Sequence, residues 1–173
     1  MYKVIEEHLD YKHFQSVILL RGFIINRAIT VEEVINHVIV FHHYKDYKEG
    51  IEYQDKELQD MQWKPKVEIL KKVLAEYDLG ELIKSKVNNE TLFDLLQRII
   101  EIRHMMAHHR WSRVWEDGAS FKKYKLKSEF AFSEEAIEKY DADCKRAVIM
   151  LDKILTKLGY WENLFDQLTI KKE

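Results

Sequence analysis

The chain has 173 residues, the length of a single domain. A chain this size buries roughly 70% of its unfolded surface, so its core requires neither metal nor disulfide. Hydrophobic residues make up 46%, charged residues 34%, and the formal net charge is −2. That balance excludes a disordered chain and the global basic character of many nucleic-acid binders. The one cysteine, Cys144, excludes an internal disulfide and fits a reducing cytosol. Glu6, Glu7 and Asp10 interrupt any secretory leader pattern, and the apolar run Val17 to Leu20 is far shorter than the ~20 residues of a membrane span. A cytoplasmic protein with no membrane association is expected.

With one proline, five glycines, no repeat and no linker, the sequence predicts long helices in one domain over 1–173. Phe14, Val17, Ile18, Arg21, Ile24, Ile25 and Ala28 follow helical spacing, and Leu19, Leu20 and Phe23 widen the stripe until core should nearly surround it. Thr30-Val31-Glu32-Glu33 has a capping-box pattern that would open a helix through about His43. The pattern leaves open whether 13–43 is one bent helix or two. The polar stretch 44–62 is expected to be irregular or weakly helical. Pro65 suits the first turn of a helix reaching about Tyr77, and Leu79 to Val87 predicts a short one.

Asn88 or Asn89 is the expected cap of the next helix, whose apolar period of 3.6 persists to His108 and His109. The period then changes. Arg113-Val114-Trp115 and Tyr124-Lys125-Leu126-Lys127 flank the turn dipeptide Asp117-Gly118, which predicts a β-hairpin near 112–130. Ser133 should cap a last long helix with Ala136, Ile137, Ala147, Leu151, Ile154 and Leu158 inward and Gly159 as its stop. Trp161, Leu164, Phe165 and Leu168 suit a short closing helix. The expected class is all-α: a compact helical bundle with one hairpin insertion.

Glycine-rich phosphate loops, paired CxxC, HExxH and GxSxG are absent. Cys144 falls in a helical pattern and reads as a small buried hydrophobe. The stretch EIRHMMAHHRW at 101–111 gathers one arginine and three histidines where an apolar helix runs out. Cations at a helix C-terminus are favoured by the peptide dipoles, which is the plain explanation. His104 and His108, four apart, share a helix face and suit zinc, but no third ligand stands at standard spacing, so no metal site is assigned. Arg103 and His108 differ by ~140° of rotation and ~7.5 Å of rise on an ideal helix. They converge only if the helix ends at the histidine or a second subunit closes the site.

From Arg103 to Lys127 the chain carries seven Lys or Arg against two acids, a local +5 that leaves −7 elsewhere. Arg110, Trp111, Arg113, Lys122, Lys123, Lys125 and Lys127 interleave cations with aromatics, the mixture single-stranded RNA binding uses. Packing of hairpin aromatics on their own domain is the competing reading.

Arg103-His104-Met105-Met106-Ala107-His108 resembles the Rx4-6H signature of the HEPN superfamily, with a polar residue after the arginine and a small one before the histidine. The setting at the end of an inner helix, followed by a long amphipathic helix, is also similar, from the Thr30 region to about Leu158. The resemblance implies a helical, commonly dimeric domain. It also implies a metal-independent, cofactor-free endoribonuclease of the toxin or antiviral class, with RNA as substrate and a cognate antitoxin as a further partner. Members modified on tyrosine carry Tyr two places after the histidine; here that place holds Arg110. Arg103 would hold phosphate oxygens and stay charged. His108, with His104 or its symmetry mate, would move protons, since imidazole titrates near neutral pH. The alternatives are a non-catalytic HEPN module that binds nucleotide or a protein partner, and a zinc-binding helical protein.

Overall fold

The computed structural model describes residues 11–81, 83, 90–108, 110–115, 118–122 and 129–170. Six α-helices and three strands appear among them: α1 (Tyr11–His43), α2 (Tyr47–Tyr53), α3 (Trp63–Glu76), α4 (Leu92–His108), β1 (Arg110–Trp115), β2 (Gly118–Lys122), β3 (Glu129–Ser133), α5 (Glu134–Lys157) and α6 (Tyr160–Ile170). The all-α class holds, with one antiparallel β excursion. By contacts the chain forms two compact units: Met1–Ile29 with Arg98–Cys144, and Thr30–Gln97 with Lys145–Glu173. The division falls within α1, α4 and α5, not at a linker.

Helix α1 is one 33-residue element, so Thr30 does not start a second helix. The reason is its buried stripe. Val17, Ile24, Ala28, Val31, Ile35 and Val38 are all nearly inaccessible, and from Ile24 on they recur at four- and three-residue intervals straight through Thr30. Breaking the helix at Thr30 would rotate that stripe out of register, so packing outweighs the local capping signal. The expectation that core surrounds the 14–28 segment is wrong: Ile18 and Phe23 are exposed, and Leu19 is 72% exposed.

In the unit containing 30–97, the stretch 44–62 is more ordered than its polarity predicts. The Asp46 carboxylate accepts the Lys48 and Glu49 amides, capping α2. Gln54–Leu58 then continues as a π-helical turn. Pro65 is the third residue of α3, inside the first turn, where its missing N–H leaves no bond unmade. Residues 84–89, including Asn88 and Asn89, lie outside the described residues. α4 opens instead on a reciprocal pair. Thr91 Oγ1 accepts the Asp94 amide at 3.2 Å, and Asp94 Oδ2 accepts the Thr91 amide at 2.8 Å, the capping-box exchange. Lys66, only 2% exposed, bonds Glu32 Oε1 at 2.6 Å and ties α3 to α1.

In the other unit, β1 pairs with β2 and β2 with β3. The predicted hairpin is present, extended by a third strand, and its second arm is Gly118–Lys122 in place of 124–127. Lys123 to Ser128 lie outside the described residues. Ser133 Oγ accepts the Ala136 amide, so α5 starts where expected. It stops as expected too, at Gly159 with φ +78°, a left-handed angle only glycine takes without strain. In α6, Trp161 and Phe165 are exposed, so its closing role rests on Tyr160, Asn163 and Leu164. No helix among the described residues is long and apolar enough to cross a membrane.

The buried Lys66–Glu32 pair makes an asymmetric prediction. Glu32→Ala strands a fully buried ammonium and should lower the urea unfolding free energy by about 3 kcal/mol or more. Lys66→Met leaves a carboxylate that still reaches water and should cost clearly less. Equal losses would show that the pair is not what holds α3 on α1.

Candidate functional site

The site residues stand on the last turns of α4, in the unit that holds 98–144. Ile99 and Met106 are fully buried there and mark the inward direction of the helix. At ~100° per residue, Arg103 projects within ~60° of both. His104 and His108 project ~140–200° away from them, toward the opposite face. Burial agrees: Arg103 is half-buried, whereas His104 and His108 are exposed. The two imidazoles meet, with ring centroids 4.5 Å apart and planes inclined by 50°.

The helix therefore divides the RxxxxH pair between two faces and joins the two histidines instead. It runs unbroken to His108, its last residue, so no early termination swings the arginine toward the imidazoles. His109 lies outside the described residues.

Two ion pairs and a hydrogen bond set this arrangement. Asp143 of α5 is 1% exposed, and its Oδ2 accepts from Arg98 Nε at 2.6 Å. A buried carboxylate without such a partner would carry a prohibitive desolvation cost. One turn earlier, the Tyr140 hydroxyl donates to the Ile24 carbonyl of α1 at 3.0 Å. Asp141 pairs with Arg27 at 2.6 Å. Arg98 thus fixes the rotation of α4, and with it the faces on which Arg103 and the histidines emerge.

Arg103 itself has no hydrogen bond or ion pair among the described residues. Its charge is felt by Tyr140, whose hydroxyl burial and the adjoining Cys144 thiol push far above the usual phenol range; Arg103 pulls the other way. A half-buried guanidinium without a counter-ion is a ready receptor for an oxyanion, because its planar donors match two oxygens of a phosphate or carboxylate. Tyr140 is missing from the sequence-based inward set. Its signal was the run 136, 140, 144, 147, which continues the helical period through it.

The expected RNA-binding residues fall on the strands. Arg110, Trp111 and Arg113 lie on β1, with an irregularity in register between Trp111 and Arg113, and Lys122 ends β2. Arg110, Lys122 and Glu129 occupy one cross-strand row, and Trp111, Phe121 and Phe130 another. One row is thus charged and one aromatic, while Arg113 shares a row with Ser120 and Ala131. Lys123, Lys125 and Lys127 lie outside the described residues.

For metal, the His104–His108 pair finds no third ligand: among the described residues no three His, Cys, Asp or Glu side chains cluster. Two imidazoles alone do not make a zinc site of structural or catalytic type. No family profile matches the chain, and no curated protein or solved structure matches it.

Cys144 is 3% exposed, and burial pushes its thiol up to about 11, with the neighbouring Tyr140 hydrogen bond opposing. Near neutral pH it is therefore a packed thiol and not a nucleophile. Folded protein should react with a disulfide reagent at pH 8 at least a hundredfold more slowly than protein in denaturant. Comparable rates would show that the thiol is open to solvent.

Proposed function

We propose that this protein is a metal-independent endoribonuclease of the HEPN type, acting as a homodimer. The observation that carries the reading is the half-buried Arg103, which has no ion pair among the described residues, on the same two turns of α4 as the touching pair His104 and His108. In the sequence these three residues form the Rx4-6H pattern.

The chemistry needs three functions around one phosphodiester. One imidazole takes the proton of the 2′-hydroxyl as the 2′-oxygen attacks phosphorus. A protonated imidazole gives its proton to the departing 5′-oxygen. The guanidinium offsets the charge that builds on the equatorial oxygens. The P–O2′ bond forms and the P–O5′ bond breaks, leaving a 2′,3′-cyclic phosphate and a 5′-hydroxyl. His104 and His108 are close enough to share the two proton transfers, and no metal takes part.

Dimerisation follows from the division of faces. Arg103 of one chain and the histidine pair of the same chain diverge around α4, so a two-fold neighbour offers the shortest route to joining guanidinium and imidazoles at one phosphate. An uncovered apolar strip is available for such contact in the same unit: Ile18, Leu19 and Phe23 on α1. The charged row of the sheet, Arg110 and Lys122, together with Lys123, Lys125 and Lys127, supplies sequence-independent attraction for the RNA backbone.

The test is cleavage of mixed RNA in excess EDTA. Wild type should cut, leave cyclic phosphate ends and spare matched DNA. Arg103→Ala, His104→Ala and His108→Ala should each reduce the rate at least a hundredfold without unfolding the protein. Leu19→Glu should give a monomer by light scattering and lose cleavage with it. Cleavage that requires a divalent ion, or that survives both Arg103→Ala and His108→Ala, would overturn the mechanism. Binding of RNA without cleavage would make the chain a non-catalytic module.

A further inference from the structure

The unit that holds 30–97 contains a cavity of about 220 Å³ in which none of the residues discussed above takes part as a catalytic group. Its walls come from the end of α1, from α2 with its π-helical turn, and from the start of α6.

One side is aromatic. Phe41 meets Tyr160 edge-on, with centroids 5.3 Å apart at 90°, and Tyr160 stacks on His37 at 6.0 Å and 15°. Burial holds the His37 imidazole below its ordinary pKa, with Glu33 opposing, which favours the neutral ring. Val40, Ile51 and Leu164 add aliphatic surface. Such walls favour a flat, apolar-faced guest.

The polar groups are few and mixed in kind. Lys45 holds its ammonium 3.8 Å above the Phe41 ring and, among the described residues, has no carboxylate partner. Asn163 accepts a bond from Gln167 through Oδ1, which leaves its two amide hydrogens as donors. Gln54 offers both a donor and an acceptor, and the Asp55 carboxylate accepts only. The other carboxylate, Asp46, is already occupied in capping α2. The lining therefore presents two carboxylates to one ammonium, a balance that disfavours an anionic guest.

The cavity is also built, in two respects. A Cβ at Gly50 would come 2.6 Å from Val40 Cγ1, so the helix that carries Ile51 and leads into Gln54 and Asp55 is seated closer to the Val40 side chain than a residue with a side chain would allow. The turn that presents Gln54 and Asp55 is π-helical, closed by a Gln59 N–H to Gln54 carbonyl bond of 3.0 Å. π turns are rare and frequently occur at functional sites.

We propose that this cavity binds a small, uncharged planar heteroaromatic ring with donors and acceptors along its edge, of the purine or pyrimidine class, as the free base or nucleoside. The ring lies against Phe41 and Tyr160. Its exocyclic amine donates to Asp55, and its ring nitrogen or carbonyl accepts from Asn163 or Lys45. The site is independent of the nuclease reading, and its test does not involve cleavage.

Calorimetric titration of the full chain with adenosine, guanosine, cytidine and uridine, each in separate runs, tests it, with ribose as the ring-free control. At least one nucleoside should bind with a Kd below about 1 mM, and ribose should not bind. Asp55 is exposed, so Asp55→Asn leaves the fold intact, and it should weaken the bound nucleoside about tenfold through loss of a charge-assisted hydrogen bond. Ile51→Trp, at an equally exposed rim position, should block binding by filling the space. The 5′-monophosphate should bind more weakly than its nucleoside. The proposal fails if none of the four nucleosides binds, if both variants bind as wild type does, or if the monophosphate binds more tightly.

Discussion

The buried carboxylate of Asp143 is the constraint to which the end of α4 answers. A charge 1% exposed must be neutralised where it sits, and Arg98 does so at 2.6 Å. That bond fixes α4 in rotation, and everything C-terminal to Arg98 on the helix inherits the setting. Ile99 and Met106 turn inward, Arg103 is left half-buried against the surroundings of Tyr140, and His104 and His108 are carried to the open face. Asp141 and Tyr140, on the same turns of α5, bind Arg27 and the Ile24 carbonyl. The helical frame is therefore anchored by polar contacts beside the candidate site as well as by its apolar core.

Arg103 has no ion pair among the described residues. A half-buried guanidinium loses hydration, and ordinary packing would be expected to place a carboxylate beside it. Two acids of α5 are committed elsewhere: Asp143 to Arg98, Asp141 to Arg27. The partial burial of Arg103 is the feature that a helix-dipole explanation leaves out. Dipole stabilisation accounts for exposed histidines in a last turn; it gives no reason for an arginine set partly inside. The oxyanion of the proposed substrate would give one.

Helix α4, helix α5 with its Ser133 cap and the Gly159 stop were legible in the sequence because each rests on local rules: a 3.6-residue period, a hydroxyl cap, a left-handed glycine. The continuity of α1 was not, since the Thr30 capping pattern is local and the stripe that overrides it is a matter of packing along 33 residues. The exposure of Leu19 was hidden for the same reason, because periodicity shows that a face is apolar but not whether anything covers it. For Arg103, His104 and His108 the angular separation on α4 was legible in the sequence. It did not show which of them meet, which depends on rotamers and on the rotation set by Arg98. The cavity beside Phe41 and Tyr160 joins residues more than a hundred positions apart and depends on a π turn that no spacing announces.

The most direct measurement of the central claim, that His104 and His108 divide the two proton transfers, is the pH dependence of RNA cleavage under single-turnover conditions in EDTA, for wild type and for each histidine variant. Two imidazoles acting as base and acid give a bell with both limbs in the range where imidazole titrates. His104→Ala and His108→Ala should each remove one limb from whatever residual rate remains. A wild-type rate that is flat across this range, or a bell unchanged by either substitution, would contradict the account.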